Sequence, residues 1–190
     1  MRAPLRKKIA VLVIALAVVG YGGLVRAADG TPTVHGGIVA GYGDDVDIYG
    51  IQAIWAPHLD WAWLAKTGLE PRLAAQVAQW RGRDAGTDYA SLVDVSLIPL
   101  LRWPAPTTAG MRPFVEVGLG VHLLSHTRIN DDRQLSTAFQ FGSHADVGIA
   151  FGAQQRWELS GFIHHTSNAS IKQPNDGLTY FGVVLRYGMP

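Results

Sequence analysis

A histidine and a serine stand two residues apart near the carboxyl end of the chain, in the stretch HHTSNASIKQPNDG of residues 164–177. A serine hydroxyl becomes a nucleophile when a nearby imidazole removes its proton, which suits a side chain whose unperturbed pKa is about 6.5. His165 and Ser167 could therefore attack an ester carbonyl as general base and nucleophile. The amide of Asn168 or Asn175, or a backbone N–H of the same loop, could stabilise the oxyanion. The spacing alone is a weak signal, because most His-x-Ser sequences are ordinary loop pairs.

Segments of alternating apolar and polar residues surround this pair. In VEVGLGVHL the odd-numbered residues from Val115 to Leu123 are apolar, whereas Glu116 and His122 stand at even positions. Such alternation is typical of strands with two chemically distinct faces. Eight antiparallel strands close into a small barrel, which removes exposed edges. The sequence predicts an all-β, eight-stranded antiparallel barrel, with strands at about 33–43, 46–57, 66–80, 88–103, 113–124, 136–151, 156–166 and 178–188.

The two faces of these strands predict two different environments. A soluble lipocalin-like barrel would hold the apolar face inside, whereas an outer-membrane barrel would turn it towards lipid. The strands are long enough to cross a bilayer, and aromatic residues stand near strand ends at Trp55, Trp80, Tyr89, Trp103, Trp157 and Tyr187. These features favour the transmembrane form. Its interior would then hold paired polar groups, namely Glu70, Arg72, Gln76, Asp94, Glu116, His122, His144, Asp146, Glu158 and Arg186.

An even number of strands also predicts which loops face the cell surface. If both termini are periplasmic, the connections near the outer leaflet are 43–46, 81–87, 125–135 and 166–177. His165 continues the apolar outward face of its strand, and Ser167 can share that face. We therefore expect both side chains at the membrane rim, within reach of an outer-leaflet lipid. The neighbouring His164 would point into the barrel instead.

The first residues of the chain predict export. MRAPLRKK carries four basic residues and no acid, a long apolar run follows, and RAADG ends the segment. This is the pattern of a secretory signal peptide, with cleavage expected after Ala27 and Ala28 as the near alternative. A retained membrane anchor is the other interpretation, which the GYGG sequence and the Ala-rich exit disfavour. The mature domain would comprise residues 28–190.

Composition excludes several classes of function. Residues 1–27 hold five of the 16 basic residues and none of the 15 acids, so the mature chain is net acidic, by −4. A basic surface for nucleic acid is therefore not expected. The chain has no cysteine, which excludes disulfides and cysteine-based zinc sites. His122, His144 and Asp146 could suggest a metal site, but interior hydrogen bonding is favoured, and neither a metal nor a cofactor is predicted.

The carboxyl-terminal half resembles the lipid A 3-O-deacylase (PagL) family. The resemblance lies in the H-x-S-N-A core, the following KQPNDG and a final strand, and extends from about residue 113 to the end. It implies an outer-membrane barrel that hydrolyses the acyl chain ester-linked at position 3 of lipid A. It also implies that His165 is the general base, Ser167 the nucleophile, Asn168 a critical neighbour and Asn175 a contributor to the oxyanion hole.

One position departs from the family pattern. The resemblance implies a glutamate two residues after the glycine of NDG, but this chain has Thr179 there. A threonine cannot carry the charge that stabilises an imidazolium, although it can orient the ring by a hydrogen bond. Asp176 is the alternative acid, if the loop brings it to the histidine.

Two functions of different class follow from these observations. The first is a lipid A deacylase whose partners are lipid A or lipopolysaccharide and the outer membrane. The second is a non-catalytic small barrel that serves adhesion or envelope integrity. Either barrel could also pair with a second copy of the chain as a homodimer. The His/Ser pair favours the deacylase, and Thr179 favours the non-catalytic barrel.

Overall fold

The computed structural model describes residues 34–57, 59, 62–83, 91–130 and 133–189. Besides the long strands, the structure has one short helix and one short hairpin. The helix α1 (Ala62–Thr67) precedes the third long strand, and the hairpin of β6 (Arg128–Asn130) and β7 (Arg133–Gln134) lies between the fifth and sixth long strands. The predicted signal peptide and Tyr89 lie outside the described residues. The eight long strands are β1 (Val34–Gly43), β2 (Val46–Trp55), β3 (Glu70–Gly82), β4 (Ser91–Pro104), β5 (Arg112–Leu124), β8 (Phe139–Phe151), β9 (Trp157–Ser167) and β10 (Leu178–Gly188).

These eight strands form a closed antiparallel barrel, which confirms the predicted fold. Each strand pairs with its neighbour in the chain, and β1 closes the barrel by pairing with β10 from His35↔Gly188 to Tyr42↔Phe181. Closure leaves none of these eight strands with an unpaired edge. The third strand differs from its predicted range of 66–80, because the short helix α1 occupies its start. Gly68 follows that helix with φ 68°, a left-handed conformation that ends helices.

The outer wall of the barrel carries exposed apolar side chains on seven of its eight long strands, all except β3. Large side chains that a soluble protein would bury are exposed here, including Ile38, Ile51, Leu97, Leu119, Val147, Ile163 and Phe181. A continuous exposed apolar surface of this kind is what lipid-facing strands require. Trp157 and Tyr187 pair at the end opposite His165, with ring centroids 4.8 Å apart. Among the described residues, no helix is long and apolar enough to cross a membrane.

Buried ion pairs fill the middle of the barrel. Arg102 contacts Glu158 through both terminal nitrogens, at 2.7 and 2.9 Å, and Glu116 through Nε at 2.7 Å. Arg72 lies 2.7 Å from Glu116 and 3.1 Å from Glu158. Arg186 adds a contact of 3.1 Å to Asp146. The three arginines and three carboxylates neutralise one another, which is the condition for burying them.

Two sequence predictions about the interior are wrong. Glu70 does not join the buried cluster, because its side chain is 42% exposed at the barrel rim and pairs with Arg112. Trp80 does not lie at the membrane interface, because it is fully buried and packs against Tyr180 at 5.8 Å. Trp80 belongs to an apolar cluster at the end of the barrel that carries His165, together with Val46, Ile48, Leu92, Leu124, Ile129, Leu135, Phe162 and Leu178. The interior is therefore layered rather than uniformly polar.

Three buried histidines form a hydrogen-bonded chain between these layers. His122 Nδ1 lies 3.0 Å from Asp94, and its Nε2 lies 3.1 Å from His164 Nε2. His164 Nδ1 lies 3.1 Å from His144 Nδ1, and His144 Nε2 lies 3.5 Å from Asp146. The inward direction of His164 agrees with the sequence prediction. No cluster of three or more metal-ligating side chains is found among the described residues.

Candidate active site

His165 and Ser167 lie on the outer wall at the end of β9. His165 is exposed and Ser167 is half-buried. Thr166, which lies between them, and His164, which precedes them, point inward and are buried. This alternation follows from the pleat of the strand, which sends residues two apart to the same face. The side chains of the pair therefore face the surroundings of the barrel and not its lumen.

Thr179 holds the imidazole of His165. The two residues are directly opposite in the β9–β10 ladder, and His165 Nδ1 lies 2.8 Å from Thr179 Oγ1. When Nδ1–H donates this bond, the lone pair of Nε2 remains available to accept a proton. The position of the expected glutamate is thus occupied by a hydroxyl that orients the ring without supplying charge.

Gly177 leaves space for the imidazole of His165. A Cβ built on this glycine would lie 3.1 Å from His165 Cε1 and 3.6 Å from Nε2. Gly177 also has φ 64°, a conformation that L side chains rarely adopt. Within the described residues no hydrogen bond joins His165 to Ser167, so proton transfer requires the two side chains to turn towards each other. Two residues on one strand face are about 7 Å apart along the strand.

Asn168 anchors the loop that follows Ser167. Its side chain is fully buried, and Nδ2 donates to the backbone oxygens of Leu135 at 2.9 Å and Lys172 at 2.8 Å. Both amide hydrogens are therefore committed to the protein. Its backbone N–H is also used, since it donates to Asn175 Oδ1 at 3.1 Å. Asn168 can fix the position of Ser167, but it has no hydrogen left for an oxyanion.

Asn175 is the better donor of the two asparagines. Its Oδ1 accepts from the backbone of Asn168, and the Nδ2 end of the half-buried amide makes no hydrogen bond to another described residue. An amide held by its oxygen presents its N–H groups in a fixed direction. Asn175 can thus present a preorganised donor in the loop that follows Ser167.

Asp176 is turned away from His165. Its Oδ2 accepts from the backbone N–H of Gln134 at 2.7 Å, and its backbone oxygen accepts from Arg133 at 3.3 Å. These contacts tie the 168–177 loop to the β6–β7 hairpin. The structure accordingly brings Thr179, and not Asp176, to the imidazole.

The residues that the sequence does not reveal are those that bind the site residues from distant parts of the chain. The backbone oxygen of Leu135 binds Asn168 across 33 positions of sequence. Asp44, in the turn between β1 and β2, accepts a bond from the backbone of Thr179 across 135 positions. The sequence predicts a connection at 43–46, but no local pattern reveals that a residue in it binds the last strand.

Comparison with known proteins identifies relatives of this arrangement. A family model described as "Lipid A 3-O-deacylase (PagL)" matches residues 48–188. The chain is 30% identical over 162 residues to a lipid A deacylase PagL of Bordetella bronchiseptica, covering 85% of each chain. It is also 30% identical over 136 residues to a lipid A deacylase PagL of Pseudomonas aeruginosa, covering 71% of this chain and 74% of that one.

The fold agrees with this result. A crystal structure of the outer membrane enzyme PagL superposes with a TM-score of 0.71 at 25% identity, covering 82% of this chain and 99% of the other. The match of the family model spans seven of the eight barrel strands completely or nearly so, including the whole segment that carries His165 and Ser167. The chain belongs to the lipid A 3-O-deacylase (PagL) family.

Proposed function

We propose that this protein is an outer-membrane lipid A 3-O-deacylase that hydrolyses the 3-hydroxyacyl ester at position 3 of lipid A. The observation that carries the proposal is the placement of a His/Ser pair on the apolar outer wall, at one end of the barrel. A lipid in the surrounding leaflet reaches such a pair by lateral diffusion. Residues 1–27 would act as the cleaved signal peptide that delivers the chain to the membrane.

The proposed chemistry is acyl transfer to serine followed by hydrolysis. Ser167 Oγ attacks the ester carbonyl while His165 Nε2 takes the hydroxyl proton. Asn175 Nδ2 donates to the oxygen that gains negative charge. When the tetrahedral intermediate collapses, the proton passes from His165 to the sugar oxygen, and the acyl group stays on Ser167. A water molecule, deprotonated by the same imidazole, then releases the fatty acid and restores the serine.

Thr179 would keep His165 in the reactive tautomer throughout this cycle. Its Oγ1 accepts from Nδ1–H, so the proton gained in the reaction can only sit on Nε2. Asn168 holds the loop so that Ser167 and Asn175 keep their separation. The chemistry needs no metal ion, because the oxyanion donor, the base and the nucleophile are all side chains of this chain.

Incubation of the purified, folded protein with lipopolysaccharide tests the proposal directly. Mass spectrometry of the lipid A is expected to show the loss of one 3-hydroxyacyl chain, and the His165→Ala variant is expected to leave lipid A unchanged. A barrel that serves adhesion or envelope integrity would leave lipid A intact in both samples. Intact lipid A, under conditions where a known deacylase removes the chain, would contradict the proposal.

Thr179→Glu is predicted to retain activity or to raise it, by up to about tenfold. A carboxylate at this position would replace the hydroxyl on His165 Nδ1 and stabilise the imidazolium that forms during attack. Thr179→Val is the matched control, since it keeps the volume but loses the oxygen, and its activity should fall. The readout is the initial rate of acyl release. A folded Thr179→Glu variant with sharply lower activity would show that this residue does not occupy the acid position.

A further inference from the structure

The turn between β1 and β2 reaches the strand that carries Thr179. Asp44 Oδ2 lies 2.7 Å from the backbone N of Thr179 and accepts its hydrogen bond. Asp44 and Asp45 have φ values of 51° and 57°, the left-handed conformations that a two-residue hairpin turn requires. The turn thereby points the carboxylate across the seam of the barrel, at the start of β10.

Gly43 makes this approach possible. A Cβ on this residue would collide with the backbone of Thr179 and Tyr180, so only a glycine lets β1 pass so close to β10. The position of the Asp44 carboxylate is therefore set by close packing of the β1 and β10 backbones. This packing brings the carboxylate within hydrogen-bond distance of the Thr179 backbone N–H.

Thr179 joins this carboxylate to the imidazole. Its backbone N–H binds Asp44, and its side-chain Oγ1 binds His165 Nδ1 at 2.8 Å. We infer that Asp44 is a positioning residue for the reaction, which holds Thr179 against His165 and supplies the negative charge that a glutamate would otherwise provide. The inference rests on the proposed function, because it assigns this role relative to His165 as the base.

Other charged groups near the imidazole determine how strongly the charge of Asp44 acts on His165. Arg133 lies 3.1 Å from Asp44 Oδ1 and partly neutralises it. His164 stands on the inner face beside His165, and Asp176 and Lys172 belong to the adjoining loop. Asp176 already accepts a backbone bond from Gln134, and the strand on the other side of His165 contributes the uncharged Ser143. Neutralising Asp44 removes a negative charge near the imidazole, whereas neutralising Arg133 removes a positive one. The two substitutions should therefore have opposite effects on His165.

Asp44→Asn is the variant that isolates charge from hydrogen bonding. Asparagine keeps an oxygen that can accept from Thr179 N–H, so the barrel should fold as before. We expect the rate of acyl release at saturating lipid to fall about five- to twentyfold, with little change in KM. The acidic limb of the pH–rate profile should move about 0.5–1 unit lower, because a lost negative charge disfavours the protonated imidazole.

Arg133→Gln is expected to move the acidic limb in the opposite direction, towards higher pH, because it leaves Asp44 unneutralised. A purely structural Asp44 would give wild-type rates and profiles in Asp44→Asn, and that result would overturn the inference. In a Thr179→Glu background the loss from Asp44→Asn should vanish, since the glutamate supplies the charge directly. A persistent loss there would also count against the charge role.

The same experiments separate this inference from the proposed function. If His165→Ala stays as active as wild type, the proposed site itself is wrong. If His165→Ala is inactive while both Asp44→Asn and Arg133→Gln match wild type in rate and pH profile, the site stands and only the role of Asp44 fails. Folding of each variant is checked by the heat-dependent mobility of the barrel in detergent gels.

Discussion

Replacing Ser167 with alanine is expected to stop acyl release from lipid A, with a rate at least about a thousandfold below wild type. In the proposed mechanism the hydroxyl oxygen of Ser167 forms the covalent bond to the acyl group, and alanine has no atom that can replace it. The proposed oxyanion donor Asn175 and the apolar outer wall remain in this variant, so we expect lipid binding to persist while turnover is lost. Release of 3-hydroxy fatty acid, measured by mass spectrometry, gives the rate.

Ser170→Ala provides the matched control for this variant. Ser170 is exposed in the same loop, three positions after Ser167, and adopts φ 63° with no assigned part in the reaction. We expect it to retain wild-type activity. Residual activity of Ser167→Ala near the wild-type level, in a folded barrel, would exclude Ser167 as the nucleophile.

Glu158→Gln is expected to destabilise the barrel by about 3–5 kcal/mol, because it removes one partner from a buried charge network. Glu158 is 1% exposed and contacts Arg72, Arg102 and Arg186. Glutamine preserves the shape but leaves three buried guanidinium groups opposite two carboxylates. The free energy of unfolding, from urea titration of the detergent-folded protein, measures the loss.

Glu70→Gln is the control for that measurement. Glu70 also pairs with an arginine, Arg112 at 3.0 Å, but at the barrel rim where both side chains are partly exposed. Exposed pairs contribute about 0–1 kcal/mol, so this variant should unfold close to wild type. Equal effects of the two substitutions would show that burial does not set the strength of the interior network.

The barrel could be predicted because the pattern that indicates each strand lies within a short stretch of sequence. Residues two apart in a strand share a face, so the alternation around Glu116 and His122 is enough to indicate a strand and its polar side. The same rule places His165 and Ser167 on one face. It cannot tell how a closed barrel fills its lumen, which is why Trp80 and Glu70 were assigned to the wrong environments. Side-chain burial in a barrel depends on height along the axis as well as on the face of the strand.

The details of the site depend on contacts between distant parts of the chain. Asp44 and Thr179 meet only because β1 pairs with β10 to close the barrel. Asn168 is a candidate oxyanion donor in the sequence, yet its amide hydrogens are bound to the backbone of Leu135 and Lys172. Hydrogen-bond partners of this kind follow from loop packing, which a periodic pattern does not encode.

The central claim is that Ser167 is a nucleophile activated by His165 on the lipid-facing wall. A fluorophosphonate with an alkyl chain, added to the folded protein in detergent, tests it most directly. Peptide mass spectrometry is expected to locate one phosphonate adduct on Ser167, formed rapidly in the wild type and much more slowly in His165→Ala. An unmodified Ser167 in a preparation that still deacylates lipid A would contradict the account.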